Sequence, residues 1–310
     1  MAITAAMVKE LRETTGAGMM DCKKALTATD GDMDKAVEFL RENGLAKAEK
    51  KAGRVAAEGM VATNISADGK VAAIVEVNSE TDFVAKNEKF QNYVAQVAAQ
   101  VATTSAADVD AFLDEPWIED SSKTVKEHLA SMIAVIGENM TIRRFAKVNA
   151  SEGAVESYIH AGGKIGVLVE AKTDSNNDAV KECLKNVAMQ IAALNPKYTS
   201  RDEVDQDYIE HEKEILKAQA MKEKPDAAEK IIDGMVMGRI NKELKEICLL
   251  DQVYVKAEDG KQTVGKYVES VAKAEGINLE IKGFVRYETG EGIEKVEENF
   301  AEEVAKQMNA

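Results

Sequence analysis

Glu76-Val77-Asn78-Ser79-Glu80-Thr81-Asp82-Phe83-Val84-Ala85-Lys86-Asn87 stands between two different periodicities. Before it, Val71 to Val77 reads as a strand. After it, a helix-like run reaches Val101. The polar cluster Asn78 to Asp82 breaks the strand, and a large aromatic, Phe83, follows at once. One reading is a plain strand-to-helix connection, with the Asp82 carboxylate capping the helix and Phe83 turned into the core.

A hidden repeat argues against that reading. Residues 56–99 align without a gap on residues 150–193, at an offset of 94. Identical pairs include Glu58/Glu152, Gly59/Gly153, Val61/Val155, Ile65/Ile159, Gly69/Gly163, Lys70/Lys164, Val75/Val169, Glu76/Glu170 and Gln96/Gln190. Self-similarity at a fixed offset means one supersecondary unit used twice. Apolar types agree where a core needs them, but Thr81-Asp82-Phe83-Val84 lies opposite Ser175-Asn176-Asn177-Asp178. A phenylalanine required by the shared core would not be matched by Asn177. The framework repeats and the tip does not, which points to a contact site on a rigid support.

The chain has 310 residues, enough for two or three compact units. Hydrophobic residues make up 45% and charged residues 31%, with few aromatics, as in a helix-rich soluble protein. A net charge of −15 disfavours nucleic acid, whose phosphates it would repel, and favours a partner with a basic surface. Cys22, Cys183 and Cys248 lie far apart without metal-ligand spacing. With no signal peptide and no membrane-length apolar run, the expectation is reduced thiols in a cytoplasmic protein.

Residues 4–43 read as three short helices. Thr4 caps the first, Gly16-Ala17-Gly18 stops it, Met19 to Ala28 forms the second, and Asp32 caps a third that Asn43-Gly44 ends. Residues 46–54 read as a basic linker. Residues 57–77 read as a hairpin whose Asp68-Gly69 suits a type I′ turn, with Gly162-Gly163 in the second copy. Each hairpin precedes a helix, marked by Phe90, Val94 and Val97 or by Val180, Leu184 and Ile191. Ser121 or Ser122 is placed to cap a helix carrying Val125 to Ile136, and Ile142 to Val148 alternates as a strand. Residues 201–248 lack strand patterning and form two amphipathic helices interrupted at Pro225, an antiparallel hairpin. Strands are expected at Val253 to Val255 and Ile277 to Tyr287, with a final helix striped by Ile293, Val296, Phe300, Val304 and Met308.

Enzyme chemistry is not visible. Gly260 to Lys266 fits a phosphate-loop spacing, but Tyr267 stands where a Ser or Thr should hold magnesium. His128, His160 and His211 are isolated, with no nucleophile to pair with. His128 reads as a surface residue and Trp117 as local packing.

Three stretches carry a resemblance. Thr14-Thr15-Gly16-Ala17-Gly18-Met19-Met20-Asp21-Cys22-Lys23-Lys24-Ala25-Leu26 resembles the N-terminal signature of the bacterial elongation factor Ts family. Thr81 to Asn87 resembles its second signature, and His160-Ala161-Gly162-Gly163-Lys164-Ile165-Gly166-Val167-Leu168-Val169-Glu170 its third, in family order. The resemblance implies an α+β fold. It has a three-helix, ubiquitin-associated-like module with its linker (1–54) and a core of two hairpin-plus-helix subdomains (55–147; 148–198 with 249–290). A coiled-coil-type helical hairpin (199–248) and a C-terminal helix module (291–310) complete it. It further implies a guanine-nucleotide exchange factor for the elongation factor Tu GTPase. Thr81, Asp82, Phe83 and Val84 would intrude beside the partner's magnesium site and displace the ion. Further partner contacts are implied at Lys23 and His160, and more weakly at Val255, next to Val253 where the family has proline. The magnesium belongs to the partner, so no cofactor or metal site is expected here, and no direct nucleic-acid or membrane contact. The helical hairpin is open to two roles, pairing two copies or touching the partner. The rival reading is an adaptor that binds without affecting nucleotide.

Overall fold

The structure, a computed structural model, describes residues 2–294. The final helix expected over 291–310 therefore lies, from residue 295 on, outside the described residues. The described chain mixes helices with antiparallel sheets, an α+β architecture.

Three helices come first: α1 (Ala5–Thr15), α2 (Met19–Ala28) and α3 (Met33–Lys51). The Thr4 hydroxyl caps α1, Gly16 ends it in the left-handed region, and the Asp32 carboxylate caps α3. Leu11, Cys22, Ala25, Leu26 and Ala36 form their buried core. The hairpin β1 (Glu58–Ile65) and β2 (Val71–Ser79) leads to a four-residue turn of helix, α4 (Asp82–Ala85), and then to α5 (Glu88–Thr103). A short α6 (Val109–Leu113) and the small strands β3 (Pro116–Trp117) and β4 (Asp120–Thr124) follow. Helix α7 (Val125–Ile136) then returns the chain to β5 (Met140–Asn149). The second half repeats the plan with β6 (Gly153–His160), β7 (Ile165–Thr173) and α8 (Asp178–Leu194). Helices α9 (Gln206–Glu223) and α10 (Glu229–Ile247) form the antiparallel hairpin, and α11 (Val264–Glu275) with β8 (Leu279–Glu288) completes the described chain.

The sheets run β1-β2-β5 and β6-β7-β8, all antiparallel. Each central strand is covered on both faces. Ala73, Val75 and Val77 of β2 pack under α5, and Val167, Val169 and Ala171 of β7 under α8. The alternate residues Ala72, Ile74 and Leu168 meet between the sheets, with Val61 and Val155. The layers are thus helix, sheet, sheet, helix.

The repeat is a two-fold relation in space. Val61 N donates to Gly163 O at 2.7 Å, and its counterpart Val155 N donates to Gly69 O at 3.0 Å. Thr63 Oγ1 donates at 3.2 Å to Ser157 Oγ, the residue 94 places on and therefore its own counterpart. The third strands join in: Ala150 N donates to Lys70 O, and Thr289 N to Lys164 O. Even the bulge recurs, between Glu76 and Val77 against β5 and between Glu170 and Ala171 against β8. Gly59 and Gly153 repeat for a steric reason. A Cβ would lie 2.2 Å from Val77 O in one copy and 1.8 Å from Ala171 O in the other.

The helices, however, follow an offset of 90. Asn87 caps α5 and Asn177 caps α8. Buried Gln100 donates to Pro116 O and accepts from Ile118 N, as Gln190 donates to Val253 O and accepts from Val255 N. Asn177 therefore corresponds to Asn87, not to Phe83. A slip of four residues is close to one helical turn of about 3.6, so the apolar stripe matches in both registers and hides the difference. The first copy carries one extra turn, α4, and Phe83 sits on it.

Other expectations are corrected. Helix α3 does not stop at Asn43-Gly44, and 46–51 is helix rather than linker. Ala46 to Lys51 are strong helix formers, and Gly44 lies against α7, where a Cβ would meet Ala130 O at 3.8 Å. Arg41 holds Glu127 there with two nitrogens. The cap of α7 is Thr124, in a capping box with Glu127, instead of Ser121 or Ser122, which lie in β4. At the first hairpin only Gly69 has positive φ, so the turn is not type I′. Ser66 and Asp68 close it with side-chain bonds to Lys70 N. Residues 253–255 are not a strand but an isolated bridge from Val253 to Thr263. His128 is half-buried rather than a solvated surface residue: its ring stacks on Trp117 at 4.4 Å, and burial pushes its pKa down.

Glu76 faces the inter-sheet layer with no side-chain exposure. Its carboxylate accepts from Arg144 Nε at 2.6 Å, Gly290 N at 2.8 Å, and Arg143 Nη1 and Asn78 Nδ2 at 3.0 Å. Burial pushes its pKa up, but these donors outweigh burial and hold it below the usual value of 4.5. A depressed carboxylate contributes stability that is present above the unfolded value and lost as pH falls through the folded one. Stability should accordingly decline in acid below about pH 4.5, and Glu76→Ala should cost about 3 kcal/mol at pH 7, because it leaves Arg143 without its carboxylate and Arg144 with Glu291 alone. Urea titrations at pH 7 and pH 4 check both. The hairpin α9–α10 has its own cluster, around Val204, Ala220, Ile232, Val236 and Ile240. Its base is closed by Leu249 N to Tyr198 O and Tyr198 N to Ile247 O. Replacing residues 200–247 by a short glycine-serine linker should therefore leave a single cooperative melt, and calorimetry tests this.

Candidate functional site

The α4 turn is built from both of its ends. Thr81 is its N-cap, with Oγ1 accepting from Val84 N at 3.4 Å. Asp82 is thus the first helical residue and not the cap; its carboxylate takes Lys86 Nζ at 2.6 Å. Hydrogen bonding to Lys86 lowers the Asp82 pKa, and the charges of Glu58 and Lys164 also act on it. Lys164 comes from the second copy's hairpin and pairs with Glu58 at 2.5 Å. Lys164, of the third sequence signature, is thus near enough to act electrostatically on Asp82, of the second.

Successive side chains on a helical turn point about 100° apart. Ala85 is buried and Val84 packs against the first core, so Phe83 is driven outward and is 80% exposed. It is the most exposed large hydrophobic residue among the described residues. The equivalent tip of the second copy is tied to its own chain. Asp174 accepts from Asn278 N and Nδ2, and Asn177 Nδ2 donates to Glu275.

The other residues singled out from sequence lie elsewhere. Lys23 is exposed on α2, beside the exposed Met19 and Met20. His160 is exposed at the end of β6, with Nδ1 2.9 Å from the Tyr158 hydroxyl. Val255 is 51% exposed, its N–H held by Gln190. Tyr267, at the end of the phosphate-loop-like run, stacks on Tyr254 at 4.3 Å. The sequence reading missed Glu80 and Glu138, which brace the turn. Glu138 follows the glycine that ends α7, and nothing local marks it as a partner of Thr81, 57 residues earlier. Among the described residues no group of three or more His, Cys, Asp and Glu is placed to hold a metal ion. Among the described residues no helix is long and apolar enough to cross a membrane.

Fold and site define a class: a two-fold repeated α+β protein with an added helical hairpin and one bare aromatic turn. Residues 80–291 match the family described as Elongation factor TS. The chain is 58% identical over 307 residues to the Elongation factor Ts of Clostridium botulinum strain Eklund 17B, with 99% of each chain covered. It is 56% identical over 306 residues to the Elongation factor Ts of Clostridioides difficile strain 630, again with 99% of each covered. The chain belongs to the elongation factor Ts family.

The exposure of Phe83 sets a stability expectation. Phe83→Ala should change the unfolding free energy by no more than about 0.5 kcal/mol. Phe90→Ala, seven residues on and fully buried, should cost about 3–5 kcal/mol. Paired denaturant titrations separate them, and a large cost at Phe83 would mean that it packs in the core.

Proposed function

We propose that this protein is a guanine-nucleotide exchange factor for the elongation factor Tu GTPase in translation elongation, acting in the cytoplasm. It binds the GDP-bound partner, promotes GDP release and leaves when GTP enters. Family membership supports this reading, and one observation carries its mechanism: an exposed phenylalanine on an extra turn that the second copy lacks. No covalent step is needed. A protein that binds the nucleotide-free partner more tightly must weaken nucleotide binding by the same coupling free energy.

In this mechanism Phe83 enters an apolar slot of the partner, and Asp82 perturbs the polar network around its magnesium, with Thr81 and Val84 setting the turn against the framework. Magnesium is the partner's, and the chain needs no cofactor of its own. Lys23, with Met19 and Met20 beside it, suits a dock for the N-terminal three-helix module, which we take as ubiquitin-associated-like, on the nucleotide domain. His160 suits a contact with a more distant domain, and Val255 a peripheral one. The domain division given above belongs to the same reading, with α3 now joining the first module to α7. So does a coiled-coil hairpin able to pair two copies, on which Met221, Ile231 and Met237 are exposed. The acidic charge speaks for a basic protein surface rather than nucleic acid.

The test is release of a fluorescent GDP analogue from elongation factor Tu. The wild-type chain should accelerate release, and Phe83→Ala should lower that acceleration by about tenfold or more, a loss of about 1.4 kcal/mol or more of coupling. Binding without acceleration by the wild type would select the adaptor reading instead.

A further inference from the structure

We infer that Glu138 is the positioning residue of the exchange turn, fixing Thr81 so that α4 projects Asp82 and Phe83 from the framework at one angle. The inference rests on the exchange reading above.

Glu138 grips Thr81 twice. Its Oε2 accepts from Thr81 N at 3.0 Å, and its Oε1 accepts from Thr81 Oγ1 at 2.6 Å. The second bond decides what the hydroxyl does. With its proton committed to the carboxylate, Oγ1 presents a lone pair to Val84 N and serves as the cap. A helix of four residues is far too short to hold itself, so its cap and its base determine its direction.

The brace is reciprocal. Glu80 Oε1 accepts from Asn139 N at 2.5 Å, and Asn139 Nδ2 donates to Arg54 O at 2.8 Å. Neighbouring residues at the end of β2 and the start of β5 thus exchange carboxylates across the sheet. Glu138 is half-buried, and Asn139 and Met140 after it are buried, so the gripping side chain stands on rigid backbone.

The second copy serves as a control within the molecule. Ser79 Oγ donates to Thr81 O and Thr173 Oγ1 donates to Ser175 O, which makes Ser175 the counterpart of Thr81. Ser175 bonds only locally, its N–H to Thr173 Oγ1 and its Oγ accepting from Asn177 N. The half without a bare aromatic turn has no carboxylate grip at this position. Grip and turn occur together, as expected if the grip serves the turn and not the shared framework.

The experiment measures GDP-analogue release from elongation factor Tu as a function of factor concentration, with melts of every variant. Glu138→Ala should lower the maximal release rate by about tenfold while the half-saturating concentration moves less than about twofold, because the turn still docks but is no longer aimed. Glu138→Gln should recover most of the rate, since the amide oxygen can accept from Thr81 N–H and the amide nitrogen can donate to Oγ1. In a Phe83→Ala background, Glu138→Ala should add less than about twofold, the non-additivity of two residues acting as one unit. A wild-type maximal rate in Glu138→Ala, or a full additional loss in the Phe83→Ala background, overturns the inference. If Glu138→Ala lacks a cooperative melt, Thr81→Val decides: it removes only the hydroxyl, should reproduce the rate loss in a folded protein, and overturns the inference if it exchanges at the wild-type rate. A wild-type chain that leaves GDP release unchanged overturns the exchange reading itself, a result distinct from an active wild type with a fully active Glu138→Ala.

Discussion

Both faces of β2 and of β7 must be covered, and one half of the molecule can cover only one of them. Helices α5 and α8 each supply a lid on the outer face. The inner faces, with Ala72, Ile74 and Leu168, find cover only in each other. Fully burying one such aliphatic side chain is worth about 1.5–3 kcal/mol, so separating the halves would expose a layer that neither could afford alone. The backbone bonds around Thr63 and Ser157 then fix how the layers lie, because the same donors and acceptors are used from both sides. Glu76 breaks the apolar pattern of this inner layer. It is tolerated because Arg143, Arg144, Asn78 and the Gly290 N–H all converge on it. Arg144 also reaches Glu291 and lies 4.2 Å over the Tyr287 ring, so the buried charge ties the first sheet to the end of the second.

Much of this was legible in the sequence, for local reasons. Caps at Thr4 and Asp32, the stop at Gly16 and the two hairpins follow from residues near one another, and the doubled framework from self-similarity that needs no knowledge of contacts. Errors arose where the deciding partner was distant. Asn43-Gly44 reads as a stop until α7 is known to lie against Gly44, making a small residue a packing requirement. His128 reads as surface until Trp117 is stacked on it. The helix register failed for another reason. A four-residue slip nearly preserves a helical stripe, so apolar pattern cannot detect it. The buried glutamines could have: Gln100 and Gln190 are polar residues within an apolar face, and aligning them gives the offset of 90 at once.

That register changes what the asymmetry between the copies means. The alignment at 94 suggested a substitution, with a phenylalanine where the twin has asparagine. The structure instead has an insertion, a complete turn added between the end of β2 and the cap of α5. Substitution in a shared turn would have been constrained by the turn's packing in both copies. An added turn is free of that constraint, and it can expose an aromatic without disturbing the helix behind it. Both tips are fastened to the residue before their third strand, Glu80 to Asn139 and Asp174 to Asn278, but Asn177 is also tied to Glu275 of α11 while Phe83 stands bare.

Magnitudes limit what the turn can do in the exchange reading. Phe83 is already mostly exposed, so placing it in a partner's apolar slot recovers about 1.5–3 kcal/mol of burial. Coupling between two ligands typically spans about 1–3 kcal/mol, or about 5–150-fold in affinity, so one aromatic side chain is of the right size. A larger effect on nucleotide binding would have to come from polar groups. Asp82 is the only acidic residue in the turn, and its carboxylate is occupied by Lys86. That pair is solvent-exposed and screened, which makes Lys86 an easily displaced partner for a carboxylate approaching a stronger cationic field. In the proposed mechanism the aromatic would supply a defined amount of binding energy, and the weakly held carboxylate what an apolar side chain cannot, a charge that competes for the metal's surroundings. Both depend on the turn keeping its direction under load, which is why the two bonds that Thr81 donates to Glu138 matter more to this reading than any contact made by the tip in the free protein.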